Sequence, residues 1–251
     1  MKKYFLLVPI LTILFSCSKE EAKPALSIKN NELTLFREST EELIVENNSS
    51  DVSFKSENNL IASVSEEGIV EGRVRGETTI LVTSMEETAT AIVEVKTLIN
   101  FLPEPYLGFG ENYETVKSKA AAGEEIIEIE NGFGIQKRID HSDVIYGYMF
   151  ENNKLNLSMF ACETLSNIAS VIVDFLLERY IPVAQTGAYS AGFISPEKDK
   201  IILFSTSDDL RMIYVSYMEY DGNTETAVRS TKLFDEQIKR FVNDTLSNSL
   251  K

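Results

Sequence analysis

Apolar residues follow three different rhythms along this chain. Tyr4–Phe15 is one unbroken apolar run apart from Thr12. From Leu26 to Leu98 apolar residues come instead in short bursts separated by turn residues. Leu33–Phe36, Glu42–Glu46, Val52–Ser56, Ile69–Arg75, Thr78–Ser84 and Thr90–Lys96 read as strands. In the last of these, Ala91, Val93 and Val95 alternate with Ile92, Glu94 and Lys96, as in a strand buried on one face. Asn47–Asp51 and Glu66-Glu67-Gly68 read as turns, with Gly68 able to supply a positive φ. About seven strands in about 70 residues predict a small β-sandwich over 26–98.

A boundary follows. Pro103 and Pro105 disfavour helix and keep the chain extended across Asn100–Pro105, so 99–105 reads as a linker. Beyond it, over 106–251, helical and strand periods mix. Asn112 can cap a helix carrying Glu114, Val116 and Ala120 and ending at Gly123. Ile126–Glu130 and Phe133–Ile139 flank Asn131-Gly132, a hairpin signal, and Val144–Phe150 and Leu155–Ala161 flank Asn152-Asn153. Thr164 can cap a longer, largely buried helix, Leu165–Tyr180, with Pro182 closing it. Strands are predicted at Val183–Phe193, Ile201–Ser205 and Met212–Tyr220, then an amphipathic helix at about Leu233–Leu246 with Phe234, Ile238, Phe241 and Val242 on one face. Helix-then-strands thus occurs twice. The hairpins Tyr146–Phe160 and Leu203–Tyr217, turning at Asn152-Asn153 and Asp208-Asp209, suggest two halves of one α+β domain with an antiparallel sheet.

The first rhythm changes the setting of all this. Lys2 and Lys3, a short apolar run and the small Ser16 describe an export signal over 1–16. The run falls short of the roughly 20 residues needed to span a bilayer. Leu14-Phe15-Ser16-Cys17 resembles a bacterial lipobox, which implies a lipid on Cys17; the alternative is an ordinary signal peptide with an incidental cysteine. Residues 17–25 would then be a lipidated cysteine and tether. Lys19-Glu20-Glu21 resembles the Lys-acid-acid signal that directs some Gram-negative lipoproteins to the outer face of the outer membrane; a generic charged linker reads the same way.

Composition narrows the partners. The 251 residues carry a net charge of −15, spread along the chain. Nucleic acid and a flat anionic membrane surface both call for a basic face, so neither is expected. The two cysteines, Cys17 and Cys162, allow no disulfide framework once Cys17 is lipidated, and Cys162 reads as a buried small hydrophobe.

Two stretches resemble known families. Ser56-Glu-Asn-Asn-Leu-Ile-Ala62-Ser-Val64, then Gly68-Ile-Val70-Glu-Gly72, then Gly76-Glu-Thr-Thr-Ile80, is similar to the bacterial immunoglobulin-like domain, group 2. Phe54 stands where that family usually has Trp, and its early Gly is missing within Arg37–Thr40. The resemblance implies an extracellular sandwich, often a spacer or adhesion module, and no catalysis. The expected fold class is therefore an all-β Ig-like sandwich followed by an α+β domain with an antiparallel sheet. In topology alone the second domain resembles tandem-repeat α+β domains of the β-lactamase inhibitor protein kind.

Chemistry-bearing motifs are sparse. Asp140-His141-Ser142-Asp143 holds triad residue types, but neighbours on extended chain point to opposite sides and build no relay. His141 is the only histidine, which excludes the common His-His zinc sites. Gly108-Phe-Gly110 and Gly132-Phe-Gly134 do not sit between a strand and a helix as a phosphate loop must. Asp221–Glu225 lacks the EF-hand register. Glu124-Glu125 and Asp208-Asp209 are adjacent in sequence and need not face each other across a cleft. Tyr146, Tyr148 and Phe150 share a strand face, as strand alternation requires. Tyr146 and Tyr148 are the candidate binding surface, with a core face of the sheet as the other reading.

Together these features lead us to expect a lipid-anchored, non-enzymatic cell-envelope protein of a Gram-negative outer membrane. An Ig-like stalk would present an α+β domain to a protein or glycan, with no cofactor and no metal. An inhibitor or assembly factor docking another envelope protein is the alternative, and a hydrolase a more distant one.

Overall fold

The computed structural model describes residues 24–48, 51–85, 87–139, 142–164, 168–187, 190–207 and 211–222. The signal segment, Cys17, most of the tether, Asp140-His141, Asp208-Asp209, Asn223–Glu225 and Leu233–Leu246 lie outside the described residues.

The N-terminal unit is built from β1 (Ser27–Ile28), β2 (Glu32–Phe36), β3 (Thr40–Glu42), β4 (Val45–Glu46), β5 (Ser53–Ser56), β6 (Ala62–Val64), β7 (Ile69–Gly72), β8 (Gly76–Ser84) and β9 (Glu87–Lys96). A four-stranded sheet in the order β2-β9-β8-β5 faces a three-stranded sheet, β3-β7-β6, and β1 pairs with β4. Period-2 alternation sends Leu33 and Leu35, Ile80 and Val82, and Ala91, Val93 and Val95 inward to meet Leu43, Ala62 and Val70 in one aliphatic core. Gly68 makes its turn at φ +84°.

Two sequence expectations need correction here. Glu42–Glu46 is not one strand. The chain leaves β7 after Glu42, Leu43 N donates to Gly68 O and Ile44 N to Asn30 Oδ1, and Val45 then pairs with Ile28. This is a corner at which a strand changes sheets. Ile69–Arg75 ends at Gly72, because Arg73 N and Val74 N both turn to Ile61 O.

Among the described residues the C-terminal unit is one antiparallel sheet with two short helices. Its elements are α1 (Tyr113–Ala120), β10 (Ile126–Ile129), β11 (Gly132–Ile139), β12 (Ser142–Glu151), β13 (Lys154–Glu163), α2 (Ile168–Leu177), β14 (Ile181–Gly187), β15 (Ser190–Ile194), β16 (Lys200–Thr206) and β17 (Met212–Glu219). The strand order is β10-β11-β12-β13-β17-β16-β15-β14. Each half runs helix, then four strands in a meander, and the last strands of the two halves, β13 and β17, pair at the centre. Asn112 caps α1, its side chain accepting from Thr115 N.

Three local expectations are corrected. Val183–Phe193 is a hairpin, β14 and β15, and not a single strand. Pro182 lies inside edge strand β14, where the N–H it lacks is not needed. The turn between β10 and β11 is Glu130-Asn131, with Asn131 at φ 60°. Gly132 is already in the strand, and a Cβ there would meet Tyr148 O at 2.3 Å. By contrast Asn152 and Asn153 both have positive φ, 52° and 60°, as a two-residue hairpin turn demands.

Both faces of this sheet are buried. Val144, Tyr146, Tyr148, Phe160, Val215 and Tyr217 point to the face covered by Ile172, Phe175 and Leu176 of α2. Ile145, Leu157, Met159, Ala161, Tyr214 and Met218 point to the other.

Candidate functional site

The segment between the two units is held by many side-chain hydrogen bonds. It runs extended past the end of α2 and across the helix-covered face, and buried side chains take up its backbone groups in turn. Glu178 receives Leu98 N on Oε1 at 3.1 Å and Ile99 N on Oε2 at 3.0 Å. Arg179 donates to Ile99 O at 2.7 Å. Tyr146 Oη donates to Pro103 O at 2.9 Å. Tyr106 N donates to Tyr148 Oη at 3.2 Å, and Ser158 Oγ donates to Tyr106 O at 2.6 Å. Extended chain has no internal partners for these groups, so buried backbone of this kind persists only when side chains supply them.

Tyr146 and Tyr148 are therefore corrected from a ligand-facing surface to a linker-holding one. Each is 2% exposed. The Tyr148 ring lies tilted 5.0 Å from that of Phe133, and Tyr146 lies 6.4 Å from Phe160. Burial raises both phenol pKa values above the ordinary tyrosine range, so the hydroxyls stay protonated. Phe150, 9% exposed, belongs to the same core.

Charge gathers where the linker meets α2. Arg179 Nη1 donates to Phe175 O at 3.1 Å, its guanidinium carbon lies 3.8 Å from the Phe175 ring centroid, and its Nε is 3.7 Å from Glu104 Oε2. Arg75, from the sandwich, pairs with Glu104 at 3.1 Å, and Tyr180 Oη donates to the same carboxylate. Arg75 N donates to Glu178 O at 2.7 Å, a direct bond between the units. Burial lowers the Arg179 pKa, while Glu104 and Glu178 work to raise it. Burial also raises the Tyr180 phenol pKa, with Glu104 beside it.

Next to this joint is a cleft of about 350 Å³ with walls from both units. Arg37, Glu38, Glu71 and Arg73 rim it from the sandwich; Leu177, Tyr180 and Pro182 close it from the sheet domain. Arg37 pairs with Glu38 at 2.7 Å, and Arg73 donates to Asn59 O at 3.1 Å. Its volume falls within the range of small-ligand sites, which occur preferentially between domains.

The remaining motifs stay apart. Gly110 N donates to Leu155 O in a turn at the domain entry, and Gly134 lies inside β11. Every pairing in this sheet is antiparallel, so neither glycine motif opens a βαβ phosphate site. Glu124 pairs with Lys137 at 3.2 Å. Cys162 is buried, and burial with nearby Glu163 pushes its thiol up to about 11, far from a reactive thiolate. Among the described residues no cluster of His, Cys, Asp and Glu could hold a metal ion.

Residues 25–95 match the bacterial Ig-like domain (group 2) family. The matched stretch covers the N-terminal sandwich. No curated protein matches the chain. Among solved structures, an intimin mutant from EHEC O157:H7 is 17% identical, covering 53% of this chain and 93% of its own, at a TM-score of 0.28. Domains 5–6 of the S-layer protein SbsC are 11% identical, covering 80% and 86%, at a TM-score of 0.25. Overlaps this loose assign neither fold nor function to the sheet domain.

Sequence reasoning passed over Glu104, Glu178 and Arg179. A signal existed: Glu178-Arg179 follow directly on a helix whose residues are almost all apolar, and Glu104 sits between two prolines. Charges at a helix end usually face water. Here the linker packs over them.

Proposed function

We propose that this protein is a lipid-anchored, non-enzymatic component of a bacterial cell envelope. Cys17 carries the lipid, the Ig-like domain is the stalk, and the sheet domain is held outward to bind a protein or glycan. The observation that carries this reading is the Ig-like match at 25–95, directly after an export-type segment ending at Cys17. The lipid would hold the chain firmly, since each buried CH₂ contributes roughly 0.8 kcal/mol. Because Tyr146 and Tyr148 face inward, recognition falls to the outer surface, with the cleft between the units as its concave part.

Cell fractionation of Cys17→Ala is the first test: the variant leaves the membrane fraction while the parent stays. Protease shaving of intact cells, with a pull-down from the same cells, then tests display. A shaved protein that brings down a partner or glycan, and loses it in Arg37→Glu/Arg73→Glu, supports the reading. A protected protein that brings down an envelope complex replaces it with docking to another envelope protein. Retention of Cys17→Ala on membranes removes the anchor.

A further inference from the structure

We infer that Glu178, Arg179 and Tyr180 form a lock on the linker that makes the Ig-like domain and the sheet domain one rigid arm. Independent motion is the default for two domains joined by a short linker and a small polar interface. Three observations point the other way.

First, Glu178 and Arg179 are the only charged residues among the buried described residues, at 8% and 5% exposed, and both lie at the joint. Removing two charges from water is costly unless each is paired and hydrogen-bonded; the two lie 3.5 Å from each other and Arg179 donates to Phe175 O, but their other hydrogen bonds go to the linker. The Glu178 carboxylate takes two consecutive linker N–H groups, one on each oxygen. Arg179 Nη2 reaches Ile99 O at 2.7 Å and Asn100 Oδ1 at 3.3 Å. If the linker lifted away, both charges would lose these partners together.

Second, Glu104 gathers groups from both sides. Arg75 of the Ig-like domain and Arg179 and Tyr180 of the sheet domain converge on one linker carboxylate. Third, the contact continues past the linker. Ile181, the first residue of β14, packs against the aliphatic core of the Ig-like domain. The hold therefore has a polar centre and an apolar flank, and the cleft beside it keeps its shape only while both are engaged.

The test uses the full chain with one spin label in each unit, at exposed Thr88 and Lys154. The distance between labels is measured by pulsed electron spin resonance, and cleavage of the linker by chymotrypsin, at Phe101, is followed in parallel. The parent should give one narrow distance distribution and resist cleavage. Glu178→Gln keeps the shape but offers an amide N–H₂ to one linker N–H. It should broaden the distribution and speed cleavage by about ten-fold or more through local opening. Arg75→Ala, on the exposed side of the joint, should do the same to a smaller degree without touching the sheet core. Hydrogen exchange across β12 and β13 should stay slow in both variants, which separates release of the linker from unfolding. A broad distribution in the parent overturns the proposal. So does a narrow one that survives both substitutions.

Discussion

The Ig-like domain buries an aliphatic interior of Leu, Ile, Val and Ala, whereas the helix-covered face of the sheet domain is dominated by rings. Phe133, Tyr148 and Phe150 stack at one end of it, and Phe160 sits among Tyr146, Phe175 and Tyr217 at the other. The difference has a physical consequence. Aliphatic side chains make no directional demands, so the Ig-like core can close on itself. A buried tyrosine carries a hydroxyl that needs a partner. In the sheet domain Tyr146 and Tyr148 meet that need with the linker backbone, so completing one core also fixes the chain that joins it to the other.

The sharpest way to break this comparison is Phe160→Ala. Phe160 is fully buried at the centre of the ring cluster, and its loss should cost about 3–5 kcal/mol. Hydrogen exchange should then collapse across β12, β13 and β17 while β8 and β9 stay protected. If β8 and β9 lose protection as well, the two cores are one cooperative unit. The reciprocal change is Ile80→Ala, at 0% exposed in the aliphatic core, expected to cost about 2–5 kcal/mol. Its denaturant midpoint should fall for Ig-domain probes first.

Tyr146→Phe probes the link between core and linker. The ring stays, but Pro103 O loses its donor in a part-buried site, for about 1–3 kcal/mol. The expected signature is faster cleavage at Phe101 with the ring packing retained. The smallest effect expected is from acid. Lys119 and Tyr106 lower the Glu111 pKa, and Tyr113 with Lys117 lowers that of Glu128, both below the ordinary glutamate range. A carboxylate whose folded pKa is depressed stabilises the fold above its unfolded pKa, and this contribution disappears as pH falls through the folded value. Acidification from neutral pH should therefore fray α1 and its contact with β10 before either core opens. Amide exchange over Tyr113–Ala120 as a function of pH checks it; an α1 that persists to the acid unfolding of the whole chain counts against it.

Much of the architecture could be read from the residue pattern. Alternation at Ala91, Val93 and Val95 announced a half-buried strand, and all three are buried. Asn152-Asn153 announced a tight hairpin because both residues must tolerate positive φ. The misreadings came where the pattern does not record direction. Glu42–Glu46 looks continuous, yet its two ends hydrogen-bond to different sheets. Val183–Phe193 looks like one strand because the composition does not change along it, yet its two ends pair with each other as β14 and β15. The joint was hidden for a related reason: Glu104 is far in sequence from the adjacent pair Glu178-Arg179, and each alone resembles a solvated charge.

What the sequence determined by itself was local: which segments extend, where the chain must turn, and which side chains share a face. Those follow from the backbone period and the preferences of Gly, Pro and Asn, which need no neighbours. Tertiary structure decided which faces are covered and by what. Tyr146 and Tyr148 were certain to share a side, but only the packing of α2 and the linker turned that side inward. Burial belongs to the assembled surfaces, and no single segment carries it.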